Sequence, residues 1–382
     1  MRNDGVCGSQ IESVAAGRAF TPRAATLRSR CPLSRALFLS FLLAFLTLFC
    51  GTTTHALPQT FAADYAVDAD GYGYALVRTG PEPYCIRRID GTTGVEVARW
   101  TISSSDTRTY MLWSPKSIAI GSDGKPRLLW AKGADIMIWR FSQSLAIELK
   151  TTFTAPLGAG WAAVDLTLRG TDSYVLFSQT GTNGFGVPQG KAGLFTVLSD
   201  TTSGSTSSSG WMTNHVATRI ATAANASVGV GTVQILWSIG PTLGQFRLWG
   251  VDPTTLDLSS PVSDVVHLCG SDQYASDIAT GLNATGSADE TIVTIRNIPT
   301  FPDGITVVGL RLNAGLAVIS STSYSLASST AYHNAVVFAG VGQSTSVRDA
   351  HFWVDPDPGP FPLKMVIYSP SWTLLNVWDQ AY

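Results

Sequence analysis

The stretch Trp113–Ser142, WSPKSIAIGSDGKPRLLWAKGADIMIWRFS, decides the fold. Ser117 to Ile120 alternates polar and apolar residues, and Gly121-Ser122-Asp123-Gly124 then interrupts the pattern with the positive-φ positions a hairpin turn needs. Pro126 opens a second run, where a missing N–H is tolerated, and Arg127 to Trp130 forms its body. Lys132-Gly133-Ala134-Asp135 turns the chain again. Ile136 to Phe141 is the third run, with Ile136, Ile138 and Arg140 on one face and Met137, Trp139 and Phe141 on the other. A meander this short buries neither face alone and becomes stable by stacking against further copies of itself.

Looser copies recur. The first runs from Ala63 to Ile102, with turns at Asp68-Ala69-Asp70-Gly71 and Asp90–Gly94 and four short strands around them. Leu145 to Phe153 supplies the fourth strand of the Trp113 copy. The third copy starts at Gly160-Trp161. Its second hairpin is long, because Ser178–Ala192 replaces a four-residue turn, and Asp200–Gly210 reads as a solvated Ser/Thr-rich connector. A fourth copy covers Ile220 to Leu258, a fifth Asp277 to Ser320, and a last one Ala350 to Trp378. Equivalent first-strand positions are Val67, Ile120, Leu168, Thr222, Thr280 and Val354, spaced by 53, 48, 54, 58 and 74 residues. Four of the five spacings lie near the 40–50-residue period of propeller blades with connectors.

The expected fold is therefore all-β, a β-propeller of six blades occupying residues 57–382 as one domain. Seven blades are the alternative: the long last spacing is either an insertion at Ser321–Val347 or a degenerate blade around His333–Ala339. A two-sheet sandwich is the rival fold, disfavoured by the number of strands and the regular period.

The unit resembles the repeats of bacterial secreted β-propellers, of the form DLAxGxDGxxxLLW…xxLWxxD. The resemblance rests on Ser117 to Trp130 with Ile138-Trp139, Asp165 to Phe177, Leu236-Trp237 with Leu248-Trp249, and Pro362 to Tyr368 with Trp378. The first copy departs from it with Val77 in the place of Trp130, and the fifth with Ile295. The resemblance implies a fold, and proteins of this kind share no single function. It is also similar to lectin-like propellers, which use one site per blade.

Residues 1–56 read differently. Six arginines stand against Asp4 and Glu12, an apolar run spans Ala36 to Phe49, and Thr54-His55-Ala56 offers small residues for cleavage. This is the pattern of a signal peptide cut after Ala56. The run has 14 residues, short of the roughly 20 a spanning helix needs. An uncleaved anchor and a lipoprotein cut at Cys50 are the alternatives, and a membrane enters as a partner only if the leader stays attached. The expected location is secreted or in the cell envelope.

Of 25 Lys+Arg and 27 Asp+Glu, six and two lie in this leader, which leaves a remainder with 19 basic and 25 acidic residues. No basic run of five or more exists, so nucleic acid is not an expected partner. Only Cys85 and Cys269 lie beyond the leader. An oxidising compartment permits them to pair, and two buried free thiols are the other reading.

Large aromatics recur at fixed places: Trp130, Phe177, Trp237 and Tyr368 end second strands, and Trp139, Phe195, Trp249 and Trp378 occupy third strands. They read first as packing between blades. The candidate ligand-binding residues are Trp161, Trp211, Trp130, Trp237 and Tyr368, as flat apolar faces for sugar rings. Asp68-x-Asp70-Gly71 is a fragment of a calcium loop, but no further acids follow, so a plain turn is expected. No metal, cofactor or catalytic residue is assigned: His215, His267, His333 and His351 form no i,i+4 pair, and neither a G-x-S-x-G elbow nor a phosphate-binding glycine loop is present. Asp135, Asp165, Asp277 and Asp349 are carboxylates that could converge from different blades, and Asp165, Asp277 and Asp349 read first as residues that cap or tie blade entries. Asn225-Ala226-Ser227 and Asn283-Ala284-Thr285 are glycosylation sequons.

The expected function is a secreted propeller that binds a glycan or protein surface through loops on one face, with Ser178–Ala192 and Asp200–His215 as the recognition loops. The alternatives are a propeller enzyme acting on polysaccharide or a lactone at the central channel, and a structural protein of the cell envelope.

Overall fold

Alternating patterns with turns every few residues produce short antiparallel strands, and the computed structural model contains 25 of them among its described residues. Described are residues 60–79, 84–103, 105, 113–222, 232–239, 244–282, 289–297, 306–313, 315–325, 336–341, 350–355 and 363–380. The chain divides into two units, Met1–His55 and Ala56–Tyr382, and every described residue belongs to the second. The leader, Asp349, His333 and both sequons lie outside the described residues, as do the side chains of His351 and Trp353.

The first sheet comprises β1 (Thr60–Val67), β2 (Tyr72–Thr79), β3 (Cys85–Asp90) and β4 (Glu96–Thr101). The second comprises β5 (Ser114–Ile120), β6 (Pro126–Lys132), β7 (Asp135–Phe141) and β8 (Ile147–Thr154). The third holds β9 (Ala162–Arg169), β10 (Asp172–Thr182), β11 (Pro188–Leu198) and β12 (Thr202–Ser208), with β13 (Met212–Thr213) also pairing β11. The fourth is β14 (His215–Ala221), β15 (Val233–Ile239), β16 (Gln245–Val251) and β17 (Ser263–Leu268). The fifth is β18 (Gln273–Leu282), β19 (Asp289–Asn297), β20 (Thr306–Leu312) and β21 (Val318–Ser325). The sixth is β22 (Val336–Val341), β23 (Ala350–Asp355), β24 (Leu363–Tyr368) and β25 (Leu374–Gln380). Each is an antiparallel meander in chain order, and the first strands touch in sequence, β1 to β5 to β9 to β14 to β18 to β22 and back to β1. The arrangement is an all-β propeller.

Every sheet is sandwiched between two others, so alternation in a strand divides its side chains between two interfaces rather than between core and water. Ile136 and Ile138 of β7 pack with Val175 and Phe177 of the third sheet. Met137, Trp139 and Phe141 of the same strand pack with Tyr74, Leu76 and Ile86 of the first. This explains the near-continuous burial of β6 and β7, whose patterns a one-sided sheet would not give. The outermost strands return to alternation with water on one side, as in β4 and β8.

Two segments differ from the sequence reading. Val336–Val341 is the first strand of the last sheet, so the region read as an insertion or degenerate blade supplies β22, and Ala350–Asp355 is the second strand rather than the first. The sequence reading of the last copy is therefore displaced by one strand, because Val336–Val341 and Ala350–Asp355 are both short apolar-rich runs and nothing local orders them. The Ser/Thr-rich segment after Asp200 is strand β12, paired to β11 from Gly193↔Ser208 to Leu198↔Thr202, and not a connector. A sheet-edge strand exposed on one side accepts small polar residues, and threonine suits the extended backbone. Cys85 and Cys269, both half-buried, are not joined in a disulfide, which agrees with the second of the two readings open for them.

The ring closes between the first and last sheets through an apolar cluster of Tyr65, Val67, Ala75, Val77, Ile89, Met365 and Ile367. The Trp378 indole N–H donates to the Gly91 carbonyl at 3.2 Å. Trp139, fully buried, meets Trp100 at 5.7 Å and Trp130 at 5.0 Å between ring centroids and so fills the wedge between the first two sheets. Trp139→Ala is expected to cost about 3–5 kcal/mol of unfolding free energy, read from the midpoint of a urea titration.

Candidate functional site

Two places combine position and chemistry: the centre of the ring and a ribbon projecting from the third sheet. At the centre, five first strands carry a β-bulge at the same point, so that Asp64, Ser117, Asp165, Arg219 and Asp277 each follow a skipped residue. A bulge re-aims the side chain next to it, and here it brings buried polar groups together around the axis. β22 continues without such an irregularity.

The carboxylates reach across to the next sheet. Asp64 Oδ2 accepts the Ile118 N–H at 2.7 Å and the Ser117 hydroxyl at 2.6 Å. Asp165 Oδ2 accepts the Ile220 N–H, and Asp277 Oδ2 the Ala339 N–H, both at 2.8 Å. The Ser117 hydroxyl in turn accepts the Leu166 N–H at 3.2 Å. Arg219 lies between two acids, its Nε 3.3 Å from Asp277 Oδ1 and its Nη1 3.9 Å from Asp165 Oδ1.

Burial dominates the protonation of this cluster. It raises the Asp64 carboxyl well above the ordinary range, and the neighbouring Asp165 raises it further. Asp165 is also raised by burial, against the opposing pull of Arg219. Asp277 is pushed up to about 7 by burial, with Arg219 again opposing. Burial works against the charge of Arg219, but Asp277, Asp165 and Asp64 outweigh it and hold the guanidinium firmly protonated.

Sequence reading gives Asp165 and Asp277 as ties between blade entries or as converging acids; each ties its first strand to the next, and both approach Arg219. Asp64 and Arg219 were missed, although they stand three residues before Val67 and Thr222 and so share the repeat spacing. Asp135 is not part of the cluster: it begins β7, where its carboxylate accepts the Thr154 hydroxyl at 2.7 Å. The Asp68 carboxylate caps its own turn, accepting N–H groups of Asp70 and Tyr72 at 2.9 Å each. Among the described residues no group of three His, Cys, Asp or Glu side chains could hold a metal ion.

The ribbon is the second place. β10 and β11 extend beyond the other strands of their sheet and pair without interruption from Ser173↔Val197 to Thr182↔Pro188. Asn183 closes the tip, its side-chain oxygen accepting the N–H groups of Phe185 and Val187. The long hairpin expected at Ser178–Ala192 is thus a paired two-stranded ribbon, with Phe185 94% exposed at its end.

Directly opposed residues share a face of such a ribbon. One face therefore carries the pairs Phe177↔Gly193, Gln179↔Lys191 and Gly181↔Gln189 in succession. Both glycines lie under tryptophans. The Trp161 ring comes within 3.0 Å of where a Gly193 Cβ would stand, and the Trp211 ring within 3.2 Å of a Gly181 Cβ. The strap that delivers Trp211 is held by β13, through Gln189↔Thr213 and Gly190↔Met212. Lys191 Nζ lies 4.8 Å from the Trp211 ring centroid.

Of the five candidate aromatics, the structure brings Trp161 and Trp211 to this one face. Trp161 is buried at its base and Trp211 is 43% exposed. Trp130, Trp237 and Tyr368 lie elsewhere, 2%, 0% and 3% exposed, and offer no face to a ligand. Burial follows from their strands, since positions in the second and third strands of a sheet are covered from both sides. Trp211 follows the outer strand β12, where coverage stops.

No protein-family model matches the chain, and no curated protein matches it. Solved structures do. A mutant of AofleA from Arthrobotrys oligospora is 7% identical over 86% of this chain and 88% of that one, with a TM-score of 0.52. The Dos1 propeller is 9% identical over 84% and 71%, with a TM-score of 0.39. A luciferin-regenerating enzyme is 8% identical over 85% and 97%, with a TM-score of 0.42. At these identities the similarity concerns the fold, and the chain is a β-propeller protein.

The raised Asp277 carboxyl has a defined consequence for stability. Its ordinary value is 3.8, so between about pH 4 and pH 7 the folded chain holds a proton that the unfolded chain has released. The contribution is fully present below that window and is lost as pH rises through it. Asp277→Asn is expected to reduce the drop in urea midpoint between about pH 5 and about pH 7.5, and an unchanged drop would show that Asp277 does not carry it.

Proposed function

We propose that the six sheets act as blades of one scaffold and that the protein is an exported binding propeller, engaging a glycan or a protein surface through the ribbon of the third blade. One observation carries this reading: a half-exposed tryptophan stands on a ribbon face beside two glutamines and a lysine. An indole supplies a flat apolar plane, and side-chain amides donate to and accept from hydroxyl groups. The paired backbone of the ribbon fixes their spacing, which lowers the entropy lost on binding. Export remains tied to the leader pattern at residues 1–56.

The test is titration calorimetry of the purified protein against a panel of soluble polysaccharides. Binding is expected to at least one, and Trp211→Ala is expected to weaken it by roughly tenfold or more, as loss of a central aromatic contact does. A panel without binding at micromolar protein would overturn the glycan reading, and full affinity in Trp211→Ala would overturn the ribbon as the binding site.

A second reading, hydrolysis of a polysaccharide or lactone at the channel, is favoured by the gathering of Asp64, Asp165 and Asp277 with Arg219. Against it, each carboxylate is already committed to a backbone N–H of the adjoining sheet. Turnover of a substrate panel that Asp277→Asn abolishes would decide for this second reading.

A further inference from the structure

We infer that the ribbon face selects saccharides bearing an anionic group, with Lys191 as the residue that reads the charge and Trp211 as the plane on which the sugar ring rests. The inference rests on the binding role proposed above and narrows it to a ligand class.

The charge pattern is local. Neither 178–192 nor 201–215 contains an aspartate or glutamate, and Lys191 is the only charged residue in the two segments apart from the histidine at position 215. His215 is occupied elsewhere, its Nδ1 2.6 Å from the Thr213 carbonyl and its Nε2 3.5 Å from Arg247. Several cations elsewhere pair with carboxylates, Lys125 and Arg140 with Glu148, Arg87 and Arg99 with Glu96, and Arg247 with Asp264, and Lys150, like Lys191, lies over an indole, but that of the fully buried Trp139. Lys191 has no carboxylate within ion-pair distance among the described residues, and its ammonium faces the Trp211 ring. A positive centre is thereby set beside the exposed indole, in a protein whose residues beyond 56 carry an acidic excess.

Competition for Lys191 then separates ligands. A neutral sugar that stacks on Trp211 displaces or crowds the ammonium and gives it nothing in return, so a favourable cation–π contact is weakened. A sugar with a carboxylate or sulfate offers the ammonium a charge-assisted partner, which is stronger than the contact it replaces. Gly181 makes the geometry available: without a side chain there, the indole lies against the ribbon backbone, and Gln189 opposite and Gln179 beside Lys191 remain on the same face for the ring hydroxyls. A lysine acts as a point charge and does not distinguish planar from tetrahedral anions, so the shared requirement is the anion.

The experiment compares three polymers under titration calorimetry: sodium polygalacturonate, the same polymer with its carboxylates methyl-esterified, and a sulfated galactan, each at low and at high salt. Expected is binding to at least one anionic polymer roughly tenfold tighter than to the ester, weakening as salt screens the pair. Lys191→Gln is expected to bring that preference close to unity, and Lys191→Arg to retain it. Circular dichroism of the exposed-site variants checks that they fold. The anionic polymer that binds identifies the group read. Equal binding of the ester and the anionic polymers, unchanged in Lys191→Gln, would overturn charge selection while leaving Trp211 as a sugar platform. Absence of binding to all three, together with an empty neutral panel, would remove the platform as well.

Discussion

The structure depends on joining each innermost strand to the next one around the ring. Within a sheet, backbone pairing is complete, but neighbouring sheets share no ladder. Near the axis, polar side chains add a connection to the apolar packing and the few backbone bonds, such as Ser122 N–H to the Gly170 carbonyl, that join one sheet to the next. Asp64 reaches Ile118, Ser117 accepts from Leu166, Asp165 reaches Ile220, Arg219 contacts Asp277, and Asp277 reaches Ala339. Five successive junctions are bridged from one structural position, the residue after the bulge. The junction between last and first sheets is closed differently, by apolar packing and by the Tyr65 hydroxyl, 3.1 Å from Met365 Sδ.

Such a device has an electrostatic cost. Three buried carboxylates gather around one partly buried guanidinium, and burial disfavours every charged acid among them. The backbone donors and Arg219 offset this only in part, which leaves Asp277 poised near neutrality. A second buried ion pair works farther out: Arg127 of β6 meets Asp200 of the third sheet at 3.0 Å, and both side chains are almost fully buried. There Asp123 provides a further carboxylate, so the guanidinium is matched from two sides. Pairs of this kind define which sheets face one another more than they add stability, because removing ions from water nearly balances their attraction.

A rigid ring allows one hairpin to vary without disturbing the rest. The third sheet keeps the register of the others near the axis, and beyond Ser178 its central strands continue as a ribbon. Glycines at 181 and 193 admit two indoles onto one face, the inner one buried and the outer one open to solvent. At Gly190, on the opposite face, an added Cβ would collide with the His215 carbonyl, so the chain can run closely along the ribbon there. The same residue types that fill wedges elsewhere thus acquire an exposed surface where the stacking of sheets ends.

Alternation, Asp-Gly turns and a recurring interval were legible in the residues alone, because strands and tight turns depend on neighbours within about ten positions. They located the first strands of five copies correctly and marked Trp161 and Trp211 for attention. The last copy is misplaced by one strand because Val336–Val341 and Ala350–Asp355 are both short apolar-rich runs that nothing local orders, and β12 reads as a connector because its Ser/Thr composition resembles one. The meeting of Asp64, Asp165, Arg219 and Asp277, the burial of Trp130, Trp237 and Tyr368, and the setting of Lys191 beside Trp211 were decided by assembly. Contacts at the axis join residues 49 to 62 positions apart, and at that range a side chain's role depends on which sheet closes over it, a property of the ring and not of any segment within it.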